Sequence, residues 1–226
     1  MLEPPSVIRG DFDRIAASAA DSWNHNSHYH SLLLRQLPSH MHAALEIGCG
    51  QGAFSRLLAE RADRVTAVDL SPEMIRLAKE QSAHFPNIDY RTADILEWSW
   101  PAETYDCIAS IATLHHLPVE EMLRRCAFAL AAGGALIVLD LYTGSGVADF
   151  LTGLLAVPAG AALRLFHTRR LRDPRAVREA WARHGKHERY STLGEIRGVC
   201  AKVLPGARIR RHLLWRYSIV WRKPGV

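Results

Sequence analysis

Apolar positions between residues 41 and 140 alternate between short runs and helical stripes. Ala43, Ala44, Leu45 and Ile47 form the first run, and Ala53-Phe54-Ser55-Arg56-Leu57-Leu58-Ala59 follows with helical spacing. Arg64 to Asp69 reads as a second strand. Ser71 is placed to cap the next helix, with Pro72 at its first position and Glu73 on the favourable end of the dipole. Ile88 to Ala93 reads as a third strand. Tyr105 to Ile111 is mostly apolar, as a strand covered on both faces should be. Pro118 opens a helix predicted to run to Ala132, Gly133-Gly134 stops it, and Ala135 to Asp140 is the fifth strand. Strands alternating with helices predict an α/β fold with a doubly wound parallel sheet, whose ligand site lies at the strand C-terminal ends.

The two ends differ from this core. Residues 1–10 read as irregular around Pro4 and Pro5, and from Asp11 the positions Phe12, Ile15, Ala16, Ala19 and Trp23 keep helical spacing. Asn24-His25-Asn26-Ser27 breaks it. Ser27 is placed to cap a second helix carrying Tyr29, Leu32, Leu33 and Leu37, which Pro38 ends. Near the C-terminus, Leu193 to Leu204 reads as a helix, with Pro205-Gly206 as a turn. Arg208–Leu214 and Trp215–Arg222 read as two strands with a short connection, hence antiparallel. Seven strands result, five parallel plus a closing hairpin. The 226 residues are expected to form one domain: cover helices over 1–40, a core over 41–142, a helical insertion over 143–192, and the last helix and hairpin over 193–226.

Composition sharpens this only in places. Cys49, Cys107, Cys126 and Cys200 are scattered without a C-x-x-C pair, which argues against a zinc site or disulfide scaffold and fits a reducing cytosol. Met1 to Pro5 lacks the layout of a signal peptide, and no apolar run reaches the roughly 18 residues of a spanning helix, so a cytoplasmic location is expected. Residues 1–142 hold 11 Lys/Arg against 18 Asp/Glu, whereas residues 143–226 hold 17 against 5. A basic last third is often just a solvated face, but it also suits anionic lipid, nucleic acid or an acidic ligand.

The chemistry gathers at Leu45-Glu46-Ile47-Gly48-Cys49-Gly50-Gln51-Gly52, a strand, a glycine turn and a helix start. Glycines there allow positive φ and close approach of a ligand to bare main chain, and the helix start offers free N–H groups. The pattern also fits a dinucleotide fingerprint. Asp69 lies seventeen residues past Gly52, room for one helix and one strand, and a carboxylate accepts two hydroxyl donors well. An NAD-binding domain would use such an acid on its ribose too.

Glu46 two residues before the first glycine, the third glycine at 52, and acids ending the second and third strands (Asp69, Asp94) resemble the class I S-adenosylmethionine-dependent methyltransferases. The resemblance covers about residues 40 to 142, and the helix with closing hairpin after five parallel strands fits that family rather than a six-stranded NAD domain. It implies S-adenosylmethionine as cofactor and S-adenosylhomocysteine as product. The loop Gly48, Gly50 and Gly52 would pass under the methionine part, Asp69 would take the ribose hydroxyls, and Asp94 would face the adenine amine. Met74 would lie against the adenine or simply pack in the core. Glu46, Cys49, Leu70, Ile95 and Ala112 complete the implied cofactor contacts. Many relatives have Tyr-Asp in the first cover helix; Ala20-Asp21 stands there in this chain.

Methyl transfer requires alignment of nucleophile and methyl, exclusion of water, and removal of a proton when the nucleophile carries one. His116, in Thr113-Leu114-His115-His116 just past the fourth strand, is the leading base or positioning candidate. His30, in the polar aromatic cluster 24–30, is the second. His25, His28 and His30 lack carboxylate or cysteine partners at ligand spacing, so no metal is expected there. Ala112-Thr113-Leu114-His115 matches neither the Asn/Asp-Pro-Pro-aromatic loop of DNA amino-methylating enzymes nor the cysteine motif of RNA cytosine enzymes, so no nucleic-acid substrate is expected. The expected activity is therefore methyl transfer to a small molecule. The alternative is a cofactor-binding scaffold or regulator acting through the basic third. Phe150 to Leu163 is uncharged and too short to span a bilayer, and arginines follow it. It is expected to fold as a lid with an apolar inner wall, matching an acceptor with an apolar portion. Contact with a membrane surface is the secondary expectation.

Overall fold

Met41–Ile47 forms strand β1, buried at all but one position, because it sits mid-sheet with helices on both faces. In the computed structural model, which describes residues 3–18, 25–144, 146–170, 172, 174–185 and 188–225, the other strands are β2 (Ala62–Asp69), β3 (Ile88–Thr92), β4 (Tyr105–Ile111), β5 (Leu130–Leu141), β6 (Arg208–His212) and β7 (Arg216–Arg222). They form one sheet in the order β3-β2-β1-β4-β5-β7-β6. The first five are parallel, and β7 runs antiparallel to both β5 and β6. The expected closing hairpin is present, with β7 inserted beside β5.

Alternation along β1 divides the core. Leu45 and Ile47 pack with Ile108, Met122, Leu123 and Ile196 on one side. Ala44 packs with Phe54, Leu58 and Ile75 on the other. The helices are α1 (Pro5–Ser18), α2 (His30–Leu34), α3 (Ala53–Ala59), α4 (Pro72–Gln81), α5 (Val119–Ala129), α6 (Val147–Thr168), α7 (Arg175–His184) and α8 (Leu193–Val203). Ser71 caps α4 as expected, accepting from the Met74 N–H at 3.1 Å with Pro72 in the first turn. A capping box between Thr192 and Glu195 starts α8.

Several boundaries differ from expectation. α1 starts at Pro5 instead of Asp11: proline suits a first helical turn, and the Pro4 carbonyl accepts from Val7 and Ile8. Ala19, Ala20-Asp21, Trp23 and Asn24 lie outside the described residues. Ser27 does not cap the second helix; it opens a 3-10 turn (Ser27–Tyr29), and α2 begins at His30 without a side-chain cap. α5 stops at Ala129, because the Phe128 and Ala129 carbonyls accept from Glu103 and Thr104, which starts β5 at Leu130. Gly133-Gly134 then lies within the strand, Gly133 at φ +76°. Phe150–Leu163 is part of one continuous 22-residue helix despite Pro158. Pro158 faces solvent, where water can take the carbonyl that its missing N–H releases.

No helix among the described residues is long and apolar enough to cross a membrane. α7 packs on α1, which also packs on α4. α6 lies against the β6–β7 turn: a Cβ on Gly153 would come 3.4 Å from the Trp215 ring, and one on Gly160 3.3 Å from Leu214. That turn, the β5 end and the glycine loop share the C-terminal edge of the parallel strands.

Candidate active site

β1 runs straight into the glycine loop, and the backbone holds it there. The N–H groups of Gly48 and Cys49 both donate to the Val68 carbonyl, at 2.8 and 3.0 Å. Gly48, Gly50 and Gly52 all have positive φ, +69°, +51° and +75°. Asp69, ending β2, fastens the loop from the other side. Its Oδ2 accepts from the Gly50 N–H at 2.8 Å and its Oδ1 from the Ser71 N–H at 2.9 Å. Burial raises its pKa, against the hydrogen bonds from Ser71 and Gly50. A Cβ on Gly50 would meet no protein atom within 4 Å, so this backbone faces open space, as a ligand cradle requires.

Glu46 is fully buried in β1 and accepts a short hydrogen bond from Ser55 Oγ. Burial pushes its pKa up to about 8, with the Ser55 hydrogen bond opposing and Asp69 adding to the rise. A carboxyl whose folded pKa exceeds its unfolded value stabilises fully below the unfolded pKa and loses that stability as pH rises through the folded one. The unliganded protein should therefore lose about 1 kcal/mol or more between about pH 5 and about pH 8, and Glu46→Gln should flatten this loss. Denaturant unfolding at both pH values checks it; equal slopes for the two proteins would contradict it.

The remaining implied cofactor contacts surround this cradle unevenly. Cys49 is buried, and its thiol is pushed up by burial and by Asp69. Leu70 is half-buried beside Asp69. Met74 is buried with Ile15 and Ala16 of α1, so it meets the cover helix as core packing would. Asp94 Oδ1 accepts from the Leu96 N–H at 2.9 Å, and Ile95 is turned into the core beside α5. Ala112 leaves β4 at φ +51°, an uncommon conformation for a non-glycine, with its N–H held by the Leu139 carbonyl at 2.7 Å. Thr113 Oγ1 then reaches the Gly48 carbonyl at 3.4 Å, joining the β4 end to the glycine loop.

The two candidate histidines part company. His30 packs edge-on to Phe54, ring centroids 5.0 Å apart, and burial lowers its pKa to about 4. His116, in the 3-10 turn Leu114–His116, belongs to a buried cluster instead. His115 Nδ1 lies 2.5 Å from Asp140 Oδ1 at the end of β5, and its Nε2 lies 3.2 Å from Glu188 Oε1. His184, from α7, places Nε2 2.7 Å from the same Glu188 oxygen and Nδ1 3.3 Å from Asp11 Oδ2. His116 Nε2 stands 3.6 Å from that oxygen and has no hydrogen-bond partner. Phe12 closes the cluster edge-on to His116 and His184. Burial lowers the His115 pKa, but Asp140 and Glu188 outweigh it and lift it to about 9. Burial and then the charge on His115 push His116 down to about 3. Burial alone would raise the Glu188 pKa; hydrogen bonds and charge from His115 and His184 hold it well below the usual carboxylate range.

Sequence reasoning missed His184, Glu188, Asp140 and Asp11. His184 and Glu188 are four residues apart after a helical stretch, and Asp140 ends a strand as Asp69 does, so each carried a faint signal. Only their convergence gives it meaning.

A strand–glycine-loop–helix cradle with an acid at the β2 end, on a sheet ordered 3-2-1-4-5-7-6, defines a nucleoside-cofactor-binding α/β enzyme class. A family model described as a methyltransferase domain matches residues 44–134. An uncharacterised methyltransferase of Mycobacterium tuberculosis is 32% identical over 205 residues, covering 89% of this chain and 98% of the relative. A ubiquinone biosynthesis O-methyltransferase of Coxiella burnetii is 35% identical over 94 residues, 41% of this chain and 40% of that protein. The N-methyltransferase NodS of Bradyrhizobium japonicum, solved with S-adenosyl-L-homocysteine, shares the fold at a TM-score of 0.63 and 20% identity, covering 95% of this chain and 98% of that one. The chain belongs to the class I S-adenosylmethionine-dependent methyltransferases, and S-adenosylmethionine is its cofactor.

Proposed function

We propose that this enzyme methylates an oxygen, nitrogen or carbon nucleophile of a small organic acceptor with an apolar portion, and that the acceptor enters beside His116. The observation that carries this reading is the lone buried Nε2 of His116, set one short turn from the Ala112-Thr113 closure on the glycine loop. When bound, the cofactor supplies a methyl group on a sulfonium, so the protein need only align the nucleophile, keep water out and let a proton leave. Phe12 from α1 and His184 from α7 lie over the cluster and would exclude water. With so low a pKa, His116 is neutral and accepts a hydrogen bond readily but retains a proton poorly. That favours orienting the acceptor over general-base catalysis.

The apolar portion has a site in reach. A pocket of about 350 Å³ lies between the β5 end, α6 and the hairpin turn, lined by Tyr142, Gly153, Leu154 and Trp215 among others. The lid reading of the insertion is thus supported by α7, residue 188 and the pocket wall of α6. His116→Ala is expected to lower turnover about 10²-fold through loss of acceptor alignment, while S-adenosylhomocysteine affinity stays nearly unchanged. Unchanged turnover would remove His116 from the acceptor site.

A second reading of the insertion rests on the outer face of α6. Leu155, Val157, Leu165 and Phe166 are all exposed there, the last at 80%. Arg169, Arg170 and Arg172 follow directly. An apolar helix face flanked by arginines suits the interface of an anionic membrane. Co-sedimentation with anionic vesicles at low salt, released at high salt, is the expected result. Failure to bind at low salt would discard this reading.

A further inference from the structure

We propose that His115, His116 and Glu188 form a binding site for a divalent transition-metal ion at the acceptor end of the active site. One donor atom from each of His115, His116 and Glu188 lies within 4.8 Å of the other two. His115 Nε2 and His116 Nε2 are 3.2 and 3.6 Å from Glu188 Oε1. Ligands about 2.0–2.1 Å from a tetrahedral ion stand about 3.3 Å apart, so these separations fit a first-row metal with little movement.

The surroundings are those of a metal site. His115 Nδ1 is held by Asp140 at 2.5 Å, which fixes the ring and leaves Nε2 as the free donor. His184 grips the Glu188 oxygen at 2.7 Å and is itself backed by Asp11, so the carboxylate is oriented from a second element. All the donor side chains are nine-tenths or more buried: His115 5%, His116 9% and Glu188 8% exposed.

Without an ion, protons on His115 and His184 would account for the contacts those two rings make with Glu188. They leave His116 unexplained. Its Nε2 is buried, aimed at the same oxygen and unpartnered, a state unfavourable for a polar atom shielded from water. An ion between the three atoms removes that deficit. Two imidazoles and a carboxylate favour zinc or ferrous iron over magnesium or calcium, which prefer oxygen ligands. Three protein ligands also leave a coordination position for an acceptor oxygen; with the ion bound, His116 Nε2 would act on the acceptor through the ion instead of by a direct hydrogen bond, and the ion would orient that oxygen and favour loss of its proton. That catalytic role rests on the function proposed above; ion binding itself does not.

The described residues hold one other such group, the exposed His40, His42 and Asp63 near the opposite end of β1 and β2, and a test must separate the two. Chelator-treated protein is titrated calorimetrically with Zn²⁺, and with Co²⁺ while following its d–d absorption, with Mg²⁺ as a control. The wild type and His42→Ala should each bind about one ion per chain at the buried site, with the intense visible band of a low-coordinate cobalt centre, and Mg²⁺ should give no heat. His116→Ala and the conservative Glu188→Gln should weaken binding about 100-fold or more and lose the band, while keeping the thermal shift given by S-adenosylhomocysteine. That shift reports a folded protein and an intact cofactor site independently of the ion. No binding by the wild type, or binding lost with His42→Ala and kept with His116→Ala, would overturn the proposal. Full methyl transfer by protein shown to be metal-free would remove the ion's catalytic role and leave the acceptor site standing.

Discussion

Asp69→Ala is expected to weaken S-adenosylhomocysteine binding by about 10²–10⁴-fold and to erase its thermal shift. Hydrogen bonds to a charged group contribute about 1.5–3 kcal/mol each, and two ribose hydroxyls would lose their acceptor together. The carboxylate also holds the Gly50 and Ser71 N–H groups, so its loss loosens the cradle and the start of α4. The loop itself should stay in place, since Gly48 and Cys49 hang from the Val68 carbonyl instead. The variant should thus fold and fail to bind. Asp69→Asn retains one acceptor oxygen and should fall between the two. Calorimetric titration is the measurement, and an affinity within a few-fold of wild type would show that Asp69 is not the ribose ligand.

Gly50→Val is expected to abolish cofactor binding with only a modest loss of stability. A side chain at φ +51° costs about 1–2 kcal/mol, but nothing in the protein lies within 4 Å of the added Cβ. The new atoms would project into the space the cofactor needs. The neighbouring glycines serve as contrasts. A Cβ at Gly48 would sit 2.0 Å from Thr113 Oγ1, and one at Gly52 2.1 Å from the Tyr90 hydroxyl oxygen. Gly48→Ala and Gly52→Ala should therefore lower the melting temperature as well as affinity. A Gly50→Val protein that binds normally would mean that the cofactor does not pass over this backbone.

The Glu46 and His116 experiments probe the β1 strand under the glycine loop and the histidine cluster by different readouts. Glu46 is tested through stability against pH without any ligand, His116 through turnover with binding unchanged. The Glu46 result needs no acceptor, whereas the His116 result is read with an acceptor that the wild type turns over.

What the sequence determined by itself was the parallel core and the cofactor cradle. Buried strands write themselves as apolar runs, and a loop that needs positive φ at three alternate positions writes itself as glycines; both are local requirements, so they survive in the one-dimensional record. Boundaries were legible where a local cap fixed them, as at Ser71, and were not where a distant partner did. β5 begins at Leu130 because residues 103 and 104 take the preceding carbonyls, and α6 runs through Pro158 because that side of the helix faces water. The histidine–carboxylate cluster was decided by tertiary structure alone. His115 and His116 were visible as residues past a strand. Glu188, 72 positions beyond His116, gained its place only when α7 docked on α1 and brought His184 and Glu188 to the β4 and β5 ends. A periodic or glycine-rich pattern records what each segment needs of its own backbone. A cluster drawn from α1, β5, the turn after β4 and the insertion has no such record, since its physics is the low-dielectric meeting of side chains that the chain keeps far apart.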